Sequence, residues 1–148
     1  KSINNMKNIP LPKWFTITLL TTAFVGFIDA TYLTVSNWLN GVTPCTLTEG
    51  CAIVTSSIYS TVAGIPISAF GMAFYLVAAI LVLLYVLNGV KKALDILFYL
   101  SIGAFIFSLG LVYIQVFILQ AFCLYCMISA LTSTIIFLMS AFWWKNLR

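Results

Sequence analysis

The chain has no histidine and little charge: seven Lys and Arg and three Asp and Glu among 148 residues. A domain folded in water needs far more charge on its surface. With 63% hydrophobic residues and a mean hydropathy of +1.13, this sequence is built for lipid. The strict apolar–polar alternation of membrane β-strands is absent, which excludes a barrel. No internal repeat or low-complexity segment is present. No cleavable signal sequence is visible either: the first apolar stretch is too long, and no small-residue cleavage site follows it. That stretch is expected to act as a signal anchor.

Four apolar stretches are present, at residues 14–38, 66–87, 94–119 and 123–144. Crossing a bilayer takes roughly 20 residues at about 1.5 Å each. Within hydrocarbon the backbone must satisfy its own hydrogen bonds, and runs this long do so as helices. The expected fold class is an all-α integral membrane protein, a single domain over residues 1–148 built as a four-transmembrane-helix bundle.

The positive residues are Lys1, Lys7, Lys13, Lys91, Lys92, Lys145 and Arg148. Four spans bring the N-terminus, the 88–93 link and the C-terminus to one side, so every Lys and Arg falls there. The positive-inside rule makes that side cytoplasmic. Trp14, Trp143 and Trp144 mark the inner interface and Trp38 the outer one. The pI of about 9.0 therefore reflects topology, and no nucleic-acid partner is expected.

The one long link, residues 39–65, lies outside. It carries one charge, Glu49, and its second half is mildly apolar. So greasy a loop is expected to fold back over the bundle as a cap, part of it a short interfacial helix. Loops of this length are often functional.

All four cysteines lie at the face that has no basic residues. Cys45 and Cys51 are in the outer loop; Cys123 and Cys126 form a C-x-x-C where the fourth span begins. Disulfides persist outside the cytosol. A helix N-terminus favours a thiolate, and residues three apart share a helix face. Cys126 is expected to lie roughly 4–5 Å deeper than Cys123, with Cys123 toward the aqueous loop and Cys126 toward lipid. That layout suits passage of electrons from water-side thiols to a lipid-soluble acceptor. The alternatives are ordinary buried cysteines in the C-x-x-C and a structural disulfide in the loop. A zinc site is set aside: C-x5-C is a poor zinc spacing, histidine is missing, and no metal is expected. Asp29, the one acid deep inside a span, is either a proton relay or a buried carboxyl bonded to a neighbouring helix.

At these residues the sequence resembles the vitamin K epoxide reductase family, most closely its prokaryotic quinone-reducing members. The resemblance rests on Cys45 and Cys51, the run Cys51-Ala-Ile-Val-Thr-Ser-Ser57, Gly-Ile-Pro-Ile-Ser-Ala-Phe-Gly from Gly64 to Gly71, and Phe122-Cys-Leu-Tyr-Cys126. Their order, their spacing and the four spans cover nearly the whole chain. The resemblance implies a bundle around a quinone of menaquinone or ubiquinone type, capped by the outer loop. It implies that Cys126 meets the quinone, that Cys123 exchanges disulfides with Cys51, and that Cys45 meets a thioredoxin-like partner. Ser57 matches a family Ser/Thr beside the active site; its alternative role is a helix cap. Val54, Tyr59, Phe70, Phe74 and Leu111 match pocket residues, with ordinary apolar packing as the alternative.

Five residues separate Cys45 from Cys51, the prokaryotic spacing. Vertebrate members have an Asn where Ile67 stands and a Tyr where Ala130 stands, which points away from vitamin K epoxide as substrate. Many prokaryotic members carry a fused thioredoxin-like domain; here the redox partner is expected to be a separate protein. The expected function is a thiol:quinone oxidoreductase of the prokaryotic plasma (inner) membrane. Both termini would be cytoplasmic and the active site at the outer face, where it supports disulfide formation in exported proteins. The rival readings are a membrane scaffold with structural disulfides and a small transporter component, for which one intramembrane acid is thin support. A second family of disulfide-forming quinone reductases also has four spans, but it puts its C-x-x-C in the first outer loop and does not match.

Overall fold

The computed structural model describes residues 11–40 and 49–146. Cys45, Lys1, Lys7 and Arg148 lie outside the described residues. Helix α1 (Lys13–Asn40) is followed by the short helix α2 (Glu49–Ser56), a 3-10 turn at Ile58–Ser60 and strands β1 (Thr61–Val62) and β2 (Ile65–Pro66). Helices α3 (Ile67–Asn88), α4 (Lys91–Tyr113) and α5 (Leu124–Asn146) complete the chain, and α4 runs on as a π-helical turn at Ile114–Leu119.

Four segments are long and apolar enough to cross a membrane: Lys13–Leu39, Ile67–Asn88, Lys91–Leu119 and Leu124–Asn146. The molecule is an all-α, multi-pass four-helix membrane bundle. Side chains such as Phe24, Ile106 and Leu131 are more than 60% exposed, which is the ordinary state of a face that meets lipid rather than water. The third span begins at Lys91, three residues before its apolar run, because Lys91 and Lys92 can extend their ammonium groups past the helix end. Gly89 closes α3 in the left-handed conformation (φ 66°), its N–H bonded to the Tyr85 carbonyl at 2.9 Å.

Helix α1 packs on α3 and α5, and α4 packs on α5 and α3. Gly26 lets the Tyr75 ring lie against the α1 backbone, a close approach that a larger residue would prevent. The Tyr75 hydroxyl donates to the Ser129 carbonyl at 2.7 Å, tying α3 to α5. Ser108 and Ser133 tie α4 to α5 at 2.8 Å. Thr34 Oγ1 donates to Ser68 Oγ at 2.9 Å, tying α1 to α3. Interhelical hydrogen bonds of this kind supplement packing where lipid supplies no hydrophobic drive.

The outer link contains one feature beyond the expected short helix. Thr61 pairs with Pro66 and Val62 with Ile65, antiparallel, around a two-residue turn. Ala63 (φ 52°) and Gly64 (φ 80°) both have positive φ, as a tight hairpin of matching twist requires. This hairpin turns the chain from the cap directly into α3.

Candidate active site

The site is built around the junction of the third and fourth spans. Gln120 takes the left-handed conformation (φ 48°, ψ 35°) and ends the π-helical turn. The Ala121 N–H then bonds back to the Gln115 carbonyl at 3.1 Å. The Cys123 N–H bonds to the Gln115 side-chain Oε1 at 3.2 Å. That N–H is one of the donors a helix start leaves without an intrahelical partner. Gln115 thus holds the link by both its backbone and its side chain, and α5 starts directly after Cys123. π-helical turns are rare and are often found at functional sites.

Helix α2 lies on this link through Gly50. A Cβ at that position would collide with the Phe122 carbonyl oxygen and sit 3.0 Å from its nitrogen. Glycine is what lets the two backbones touch. Gly50 precedes Cys51 and Phe122 precedes Cys123, so this contact brings two thiols from distant parts of the sequence together. Cys51 is 1% exposed and Cys123 is fully buried.

The Cys123 side chain hydrogen-bonds to Cys126 on one side and Cys51 on the other. Its thiol is pushed far above the ordinary range, first by the hydrogen bond to Cys126 and then by burial. Two expectations from the sequence are corrected here. Cys123 faces the underside of α2 rather than the aqueous loop. The helix-start field does not lower its pKa, because the neighbouring sulfur and desolvation outweigh it.

Cys126 has a different environment. It is half-buried and opens on a cavity of about 580 Å³ between the cap and α1, α3, α4 and α5. That volume suits a small-molecule ligand. Val54, Tyr59, Phe70, Phe74 and Leu111 line it, as does Ser57. Ile67 and Ala130 line it too. Neither Cys51 nor Cys123 lies on the lining. The Ser57 hydroxyl donates to the Val54 carbonyl at 2.7 Å, so it closes the end of α2 rather than capping a helix start.

Asp29 is buried, and its Oδ2 has no hydrogen-bond partner among the described residues. It is not on the cavity lining. Two residues of the site went unnoticed in the sequence. Gln115, an amide within an apolar span, carried a signal. Gly50 carried none beyond its position next to Cys51.

No curated protein matches the chain closely enough to add to this picture. The model of the vitamin K epoxide reductase family matches residues 17–141, from α1 through the cap and the C-x-x-C into α5. The chain belongs to the vitamin K epoxide reductase family, a family of membrane thiol–disulfide oxidoreductases.

Proposed function

We propose that the chain is a thiol:quinone oxidoreductase that passes electrons from a thioredoxin-like partner, through its two cysteine pairs, to a quinone of the menaquinone or ubiquinone type. One observation carries the reading. Cys123 contacts Cys51 and Cys126 at once, and of these three only Cys126 meets the cavity.

The steps follow from thiol chemistry. A thiolate of the reduced partner attacks Cys45 of a Cys45–Cys51 disulfide and releases Cys51. Cys51 attacks Cys123 of the Cys123–Cys126 disulfide, which releases Cys126 as a thiolate beside the cavity. Cys126 adds to the quinone ring. The partner's second thiol frees Cys45, Cys45 attacks Cys51, and Cys123 is released. Cys123 then attacks the Cys126 sulfur, the quinol leaves and the internal disulfide is restored. Two electrons and two protons pass from the partner dithiol to the quinone. While Cys123 is held in the mixed disulfide with Cys51, Cys126 is the thiol left free to add to the ring. Val54, Tyr59, Phe70, Phe74 and Leu111 enclose the quinone ring, and Ser57 fixes the end of the cap helix above it.

The basic end of the bundle, with Lys13, Lys91, Lys92 and Lys145, faces the cytoplasm by the positive-inside rule. The thiols face outward in a prokaryotic plasma membrane, where they supply disulfides to exported proteins. Purified protein mixed with a reduced thioredoxin-like protein and a soluble quinone should form quinol, followed by absorbance. Absence of quinone-dependent thiol oxidation would leave a membrane scaffold with structural disulfides.

A further inference from the structure

Gln115 is 3% exposed, on the cavity lining and within the apolar third span. Its Oε1 accepts the Cys123 N–H. An N–H can only be met by the amide oxygen, so the orientation of the carboxamide is fixed. Its two N–H donors have no protein partner among the described residues, yet the nitrogen is not sealed away as an orphaned buried atom. It therefore borders the cavity.

Apart from Tyr59, which is 41% exposed, and the half-buried Asn37 and Ser68, the other polar side chains of the lining are held in hydrogen bonds. Thr55 donates to the Cys51 carbonyl at 2.8 Å, Ser57 to Val54 at 2.7 Å and Ser60 to Ser57 at 2.8 Å. Tyr75 donates to the Ser129 carbonyl at 2.7 Å and Ser133 to the Ala130 carbonyl at 2.9 Å. With the Ser133 proton so used, the 2.8 Å contact between Ser108 and Ser133 is donated by Ser108. Gln115 is the deeply buried side chain on this lining with donors to spare.

We infer that the Gln115 amide N–H binds a carbonyl oxygen of the quinone, while its Oε1 holds the start of α5. This rests on the quinone reading of the site and names the group that orients the quinone there. A donor on one carbonyl withdraws electron density from the ring as the Cys126 thiolate adds, and stabilises the negative charge that develops on that oxygen. One side chain then fixes both the C-x-x-C and the quinone.

The test separates the two ends of the amide. Gln115→Glu keeps an acceptor for the Cys123 N–H and, ionised, removes the spare donors. Gln115→Leu removes both. Binding of a soluble naphthoquinone is followed by quenching of tryptophan fluorescence, with naphthalene, which lacks carbonyls, as the comparison ligand. Capture of the Cys51–Cys123 disulfide in a Cys45→Ala, Cys126→Ala background reports on the thiols. Gln115→Glu should weaken naphthoquinone binding about tenfold or more, leave naphthalene binding unchanged and keep disulfide capture. Gln115→Leu should lose both naphthoquinone binding and capture. Wild-type naphthoquinone affinity in Gln115→Glu would overturn the inference. So would equal losses of naphthoquinone binding, naphthalene binding and capture in Gln115→Glu, which would leave Gln115 a structural clamp. An unsubstituted chain that binds no naphthoquinone would overturn the inference and the quinone reading together.

Discussion

At the basic end of the bundle, Phe15 of α1, Val82 of α3, Leu97 of α4 and Ile136 of α5 are each no more than 2% exposed and meet in one core. At the thiol end the same four helices spread around a cavity of about 580 Å³, with Phe70 of α3 half exposed on its wall. The solid end uses large apolar side chains at helical spacing. The hollow end uses a π-helical turn, a left-handed Gln120 and a Gly50 that lets backbone meet backbone. One end holds the helices together; the other gives up packing for a cavity beside three sulfurs.

The largest way to break this contrast is Cys126→Ala. Quinol formation from a small dithiol should fall by several orders of magnitude, to background, while the loop thiols still exchange with a protein partner. Leu97→Ala tests the solid end. It should cost about 2 kcal/mol in mixed-micelle denaturation, the low side for such a truncation because lipid rather than water is the reference. Its quinone KM should stay unchanged. Leu111→Ala should do the reverse, raising KM with little loss of stability.

Gly50→Ala comes next. Its methyl group forces α2 off the Phe122 backbone at roughly 1–3 kcal/mol. Partner-fed quinol formation should drop about tenfold, whereas dithiothreitol, which reduces Cys123–Cys126 directly, should sustain near-normal turnover. Equal losses with both donors would mean that the Gly50 contact does more than join the two pairs. The smallest effect is expected from Ile106→Ala on the lipid face, where stability should move by about 0.5 kcal/mol or less.

The bundle was legible in the sequence because a lipid solvent leaves few choices. Runs such as 66–87 and 94–119 are long, apolar but for Asp95 at one end, and without alternation. The gathering of thiols at the end without lysines followed from topology alone. What the sequence concealed depends on contacts between distant segments. Cys123 reads as a thiol at a favourable helix start, but its hydrogen bond to Cys126 and then its burial push its pKa up. The π-helical turn at Ile114–Leu119 lies in an apolar run that reads as regular helix. The tight hairpin at Ala63-Gly64 was masked because alanine does not advertise positive φ.

The central claim is that electrons cross from the loop pair to the C-x-x-C through Cys51 and Cys123. With Cys45 and Cys126 both changed to alanine, the remaining thiols have no resolving partner. Oxidation should then trap a Cys51–Cys123 disulfide joining the first loop to the start of the fourth span. After a protease cut at an engineered site in the 88–93 link, the two halves should migrate together on a non-reducing gel and separate on adding dithiothreitol. Separate halves under oxidising conditions, from protein that remains folded, would contradict the account.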